Sequence, residues 1–198
     1  AVYVLTPSIA AILSKDKLID GSGITEAATV LAVASNGLHT NGYSLVRMLM
    51  DQMPQIKLEK IDGETFIEQI MKPHTPYRNA IGNLLECPGI HGMAHITGGG
   101  IQGNLCRILP DGLHADIDLS KIKTLPIFRY IQRIGNIDEA EMLSTFNCGV
   151  GLIVVVSERY AEQAIRNIAK YHDCYEIGRI RKGSGKVLFR NSVNWESS

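Results

Sequence analysis

The sequence is short of the features that commit a chain to a narrow class. Neither sign of charge is in excess, with 20 Lys plus Arg against 20 Asp plus Glu. A balanced chain has no long-range field to draw in nucleic acid or an anionic membrane surface, so neither is expected as a partner. No apolar run approaches the ~20 residues of a membrane-spanning helix. Cysteine is sparse: Cys87, Cys106, Cys148 and Cys174 show no CxxC spacing, so no zinc or dithiol motif is indicated. At 198 residues the chain can hold a core without disulfides, and the four thiols read as reduced core residues of a cytoplasmic protein. His74, His91, His114 and His172 are scattered and form no ligand motif among themselves, so no metal site is expected. GxxxxGK[ST] and GxGxxG are both missing. Ala1 falls inside an apolar run, which reads as a cut within a longer protein.

What is present is enough apolar material for a full core, 45% of the chain, arranged in short segments. Strands are expected over 1–5, 29–34, 93–97, 114–119 and 151–156. TVLAVA and GLIVVV are continuous apolar runs of the kind found in strands buried on both faces. Helical spacing is expected over 43–53, 63–71, 77–87, 101–109, 126–134, 138–146 and 158–171, with a helix turn over 7–14 and a loop over 15–26. Segments 175–181 and 186–189 flank Gly183-Ser184-Gly185 and read as a hairpin. The polar tail from Asn191 is expected to fray. Strands and helices mix without the strict alternation of a doubly wound sheet. The expected fold is therefore α/β (α+β), a three-layer sandwich with a mixed sheet.

Three loops carry groups that can do chemistry. Ser35-Asn36-Gly37-Leu38-His39-Thr40-Asn41-Gly42 lies between a strand and a helix. Such a corner can offer backbone N–H groups to an anion, and His39 and Asn41 add a titratable ring and an amide. It reads equally as an ordinary turn with Thr40 or Asn41 as helix N-cap. His95-Ile96-Thr97-Gly98-Gly99-Gly100, with Asn104 a turn later, is the second. Three consecutive glycines cost chain entropy and suit a close backbone approach, either to a ligand or to another element. The third is Thr145-Phe146-Asn147-Cys148-Gly149-Val150-Gly151. There Cys148 reads as a packed thiol rather than a nucleophile. Asp116 and Asp118 share one strand face, as an acidic pair or a solvated surface.

Taken in order, these segments resemble the AIR synthetase (phosphoribosylformylglycinamidine cyclo-ligase) family. The resemblance rests on LIDG at 18–21, SNGLHTNGYSLVR at 35–47 and GMAHITGGGIQGNLCRILPDGL at 92–113. It continues through IQRIGNIDEAEMLSTFNCGVG at 131–151 and YEIGRI at 175–180. It implies residues 1–20 as the end of an N-terminal ATP-binding domain plus linker, and 21–198 as the C-terminal domain. It implies ATP and Mg2+, bound mainly by the other half, a ribonucleotide substrate, and a homodimer when full length. The implied reaction is ATP-driven ring closure of formylglycinamidine ribonucleotide to aminoimidazole ribonucleotide. His39 is the candidate catalytic group; Asn41, His95, Gly98, Gly99, Gly100 and Asn104 are candidate substrate contacts. KPHTPYRNAI at 72–81 departs from the family pattern and receives no role. Other readings are a related ATP-dependent synthetase (formylglycinamidine ribonucleotide synthetase or selenophosphate synthetase) and a non-catalytic domain that keeps the fold. The isolated chain is expected to be inactive.

Overall fold

The computed structural model describes Ser8, Ala10 and residues 12–196. The strand expected over 1–5 lies outside the described residues. Of the expected turn over 7–14, the described residues are irregular, and a single 3-10 turn follows at Lys15–Lys17.

Among the described residues eight strands and seven α-helices follow. The strands are β1 (Thr29–Ala34), β2 (Lys60–Ile61), β3 (Glu64–Thr65), β4 (Ile90–His95), β5 (Leu113–Asp118), β6 (Val150–Val156), β7 (Cys174–Lys182) and β8 (Val187–Arg190). The helices are α1 (Tyr43–Gln52), α2 (Phe66–Ile70), α3 (Arg78–Leu84), α4 (Gly100–Leu105), α5 (Pro126–Gly135), α6 (Glu139–Thr145) and α7 (Ala161–Ile168). Six strands form one sheet in the order β4-β6-β1-β7-β5-β8. All its pairs are antiparallel except β5 with β8.

The sheet is covered on both faces, which is why its central strands read as unbroken apolar runs. Along β1, Val30 and Ala32 enter one core with Val46, Phe66, Ile101, Phe128 and Met142 from α1, α2, α4, α5 and α6. Leu31 and Val33 enter the other, with Ala80 and Leu84 of α3 and Ala164 and Ile168 of α7. This is the expected three-layer arrangement. Local chemistry sets the helix ends. Pro126 occupies the first turn of α5, where a missing N–H costs nothing, and Asn136 ends it in the left-handed region. Asp138 caps α6 by accepting from Glu141 N at 2.8 Å.

Several expectations give way. The hairpin at 175–189 does not form: β5 lies between β7 and β8. Gly183 N and Gly185 N bond to Gly112 O and Leu113 O instead, so the glycine turn passes around the end of β5. The stretch expected as one helix from 63 starts as a hairpin, β2–β3. Its turn residues Asp62 and Gly63 are both left-handed, and a capping box of Thr65 and Glu68 then opens α2. Helix 158–171 divides into a 3-10 turn, α7 and a terminal turn. β4 begins at Ile90 rather than 93, and a register shift between Ile90 and Gly92 leaves His91 as the extra residue of a bulge. Asp116 and Asp118 fasten β5 to β8: Asp116 pairs with Arg190 at 2.6 Å, and Asp118 accepts from Asn191 at 2.9 Å. The tail is tied down as well. Val193 is buried, and its N–H and Trp195 Nε1 both donate to Glu139 Oε2.

Candidate functional site

The loop from Ser35 to Gly42 leaves β1 at its C-terminal end and enters α1. His39 and Thr40 stand consecutively in the left-handed region, with φ of 51° and 59°. For residues with a Cβ this costs on the order of 1 kcal/mol each and persists only where the surroundings dictate it. The surroundings do so through Asn147, a buried amide. Asn147 Oδ1 accepts from Ser35 Oγ and Gly149 N at 2.8 Å each, and its Nδ2 donates to Gly37 O at 2.8 Å. The third loop thus clamps the first. Gly42 is the N-cap of α1, and no side chain caps that end, so Thr40 and Asn41 are not the caps considered from sequence. Asn41 spans two loops instead: Nδ2 donates to His39 O, and Oδ1 accepts from Gly98 N, both at 2.9 Å.

The glycine turn is held from within. Gly98 N is engaged by Asn41, Gly99 N donates to Ser144 O, and Gly100 N donates to Thr97 O. All three N–H groups are therefore occupied, and none is free to cradle an anion as the turn stands. Asn104 is buried; its Nδ2 donates to Gly100 O at 2.8 Å and reaches Thr97 O and Gly98 O at 3.3 Å. A Cβ on Gly100 would overlap Leu143 O of α6, so glycine there permits helix-to-turn packing. The surface that faces outward from this turn is made of Gly98, Gly99 and His95.

His39 is almost fully buried, at 1% exposure, and its tautomer follows from its neighbours. Asn36 Nδ2 donates to Pro73 O at 2.9 Å, which fixes the amide so that Oδ1 faces His39 Nε2 at 2.9 Å. Nε2 must then carry the proton and donate. A second contact, Thr75 N to Nε2 at 3.2 Å, competes with this assignment as a donor facing a donor. The shorter bond, anchored by Pro73, decides between them. Nδ1 keeps a lone pair, is buried, and has no hydrogen-bond partner. Burial first, then the His74 and His95 rings, draw the His39 pKa down to about 4, so the ring is neutral at neutral pH. Burial and then His74 lower His95 as well.

The residue that sequence reasoning missed is His74. Its ring stacks on His39 with centroids 4.7 Å apart, and its Nε2 pairs with Thr40 Oγ1 at 2.7 Å. His39, His74 and His95 each offer a ring nitrogen within 4.8 Å of the other two. Tyr77 closes the inner side. Its hydroxyl donates to Ala34 O at 2.8 Å, its ring meets His39 edge-on, and burial pushes its pKa up. Both His74 and Tyr77 come from the 72–81 segment that sequence reasoning left without a role. His91 turns elsewhere, to Ser157 Oγ. Cys148 is buried, its thiol lies 3.5 Å from Met142 O, and burial raises its pKa, so it packs as expected. Among the described residues the three histidines are the one convergent set of metal-type donors, and no carboxylate joins them. Three imidazoles do not suit Mg2+, which takes oxygen ligands.

The model of the family "AIR synthase related protein, C-terminal domain" matches residues 27–191, which include β1 through β8 and every loop just described. The chain belongs to this family. It is similar to proteins named phosphoribosylformylglycinamidine cyclo-ligase. One, from Bacillus cytotoxicus, is 39% identical over 198 residues, covering 98% of this chain and 57% of that protein. Another, from Methylobacillus flagellatus, is 44% identical over 189 residues, covering 93% of this chain and 54% of that protein. The chain thus spans about half the length of the relatives it matches. The fold is shared with a hydrogenase maturation protein HypE in complex with ATP, at TM-score 0.60 and 17% identity, covering 89% of this chain and 51% of HypE. It is also shared with a thiamine-monophosphate kinase from Stenotrophomonas maltophilia K279a, at TM-score 0.59 and 14% identity, covering 91% and 55%. Among the described residues of this AIR synthase-related chain, no helix is long and apolar enough to cross a membrane.

Proposed function

We propose that this chain is the C-terminal part of an ATP-dependent cyclo-ligase that closes the imidazole ring of aminoimidazole ribonucleotide. The observation that carries this reading is identity of 39–44% to enzymes of that name along nearly the whole chain. The thiamine-monophosphate kinase and HypE, which share only the fold, stand far lower, at 14–17%. In this reading residues 21–198 are the second domain, and 1–20 are the lead-in from an N-terminal half that binds ATP and Mg2+. Ile24 entering the core while Ile12, Leu13 and Leu18 stay exposed supports a boundary there. The whole enzyme is a cytoplasmic homodimer.

His39 is the proposed proton-transfer group. It is neutral, its Nε2–H is committed to Asn36, and its buried Nδ1 lone pair, which has no partner within the protein, is the atom that would meet a substrate N–H. His95, Gly98 and Gly99 form the outward wall that meets the ribonucleotide. Asn41, Gly100 and Asn104 act through that wall: they set its shape by hydrogen bonds and close packing.

The test is reconstitution with the N-terminal half and measurement of ATP-dependent aminoimidazole ribonucleotide formation. Turnover by the complete protein, and none by the 198 residues alone, is the expected result. Replacing His39 with Ala in the complete enzyme lowers kcat by about 10²-fold or more. Unchanged kcat and KM in that variant would remove His39 from the mechanism. Failure of the complete protein to turn over this substrate would remove the cyclo-ligase reading itself.

A further inference from the structure

We infer that His39, His74 and His95 form a binding site for one divalent transition-metal cation of the Zn2+ class. The inference rests on the three imidazoles; it uses the same His39 Nδ1 lone pair as the proposed proton transfer, so a bound cation and that proton transfer exclude each other at this atom. Three of the chain's six histidines converge here from positions 35 and 21 residues apart in sequence. Only imidazole nitrogens converge, and that donor set selects Zn2+, Co2+, Ni2+ or Cu2+ over Mg2+ or Ca2+.

The hydrogen bonds around the rings already have the form of a ligand shell. In metal sites each ligating imidazole commonly donates its other N–H to a fixed acceptor, which sets tautomer and orientation. His39 does this through Nε2 to Asn36 Oδ1, and Asn36 is itself anchored on Pro73 O. The nitrogen left over, Nδ1, is buried and has no partner within the protein. A buried lone pair without a donor is costly, and a cation satisfies it. His74 follows the same pattern: Nε2 is held by Thr40 Oγ1, leaving Nδ1 for a metal.

The nitrogens need to draw closer. Metal–nitrogen bonds of ~2.0–2.1 Å place tetrahedral ligand atoms about 3.3 Å apart, against the 4.8 Å spread present here. His74 and His95 are both exposed, so rotation about their side-chain bonds can close that gap. His39 stays fixed, since its loop is clamped by Asn147. Unstacking His74 from His39 is the main rearrangement required. The fourth coordination position would be open to water or to an anionic ligand.

The test is titration of the 198-residue chain with Co2+, read by its visible absorption, then displacement with Zn2+. Expected is a single equivalent with the intense bands of a tetrahedral or five-coordinate nitrogen site, lost on adding Zn2+. His74→Ala and His95→Ala each weaken binding at least tenfold, whereas His91→Ala leaves it unchanged. Both cluster variants alter exposed side chains, and circular dichroism checks that they fold. No Co2+ spectrum, or a spectrum that survives both His74→Ala and His95→Ala, would overturn the site. Cyclo-ligase turnover is read separately in the complete enzyme, with and without the cation, where a cation on His39 Nδ1 should inhibit.

Discussion

At the residue scale, the chain places an uncharged imidazole where its sequence shows only a turn. The folded-state pKa of His39 is about 4, against an ordinary value of 6.5. Between those limits the unfolded chain binds a proton that the folded chain excludes. Stability from this group is therefore fully present above the unfolded value and is lost as pH falls toward 4, by up to ~1.4 kcal/mol per pH unit. His95, also lowered by burial and then by His74, contributes a change of the same sign below its ordinary value. Urea midpoints measured from neutral pH down through that window should fall, and His39→Gln should flatten the fall. Equal slopes in the two proteins would mean that His39 is not the group excluding the proton. The lone histidine in SNGLHTNG was legible as chemistry, because a ring and two amides flank a glycine corner. His74 was not, since 35 residues separate it from His39 and only the path from α2 to α3 brings the two together.

At the element scale, the glycines of α4 separate packing from propensity. Gly100 has φ of +59°, and a Cβ there would strike the Leu143 carbonyl of α6, whereas a Cβ on Gly103 meets nothing within 4 Å. Gly100→Ala should destabilise by ~2 kcal/mol or more, through overlap and a disfavoured φ. Gly103→Ala should stabilise by ~0.5–1 kcal/mol, as an open helical position gaining a better helix former. Paired thermal denaturation curves check both signs; a Gly100→Ala protein as stable as the parent would mean that α4 can draw back from α6. Elements with a strong period or a continuous apolar run, such as β1, α1, α5 and β6, were legible in the sequence with small errors at their ends. The β2–β3 hairpin was not. Two-residue strands have no period to read, even though Asp62-Gly63 is a favoured turn pair.

At the scale of the whole molecule, the layer count was readable, because two-sided burial leaves a compositional mark on central strands. Strand order was not. Pairing across a sheet is a long-range matter, and Gly183-Ser184-Gly185 supplies the same local signal whether the next strand folds back or passes a neighbour. β8 lies parallel to β5 and covers its outer edge, with Val187 buried against Ala115 and Arg190 paired to Asp116. A chain stopped after Lys186 should keep the remaining antiparallel pairs but expose β5, and should self-associate in sedimentation or light scattering. A monomeric truncated chain, as stable as the parent, would show that β5 needs no cover.

The position of β8 also bears on how the protein is made. During synthesis, five of the six strands of the sheet leave the ribosome before Val187 does, and β7 can already bridge β1 and β5. The free side of β5 is then covered by the four residues Val187–Arg190, so that the short β8, with β4 opposite, forms the edge of the finished sheet. A nascent chain, or one cut short before Val187, presents the longer β5 as its edge until those four residues arrive.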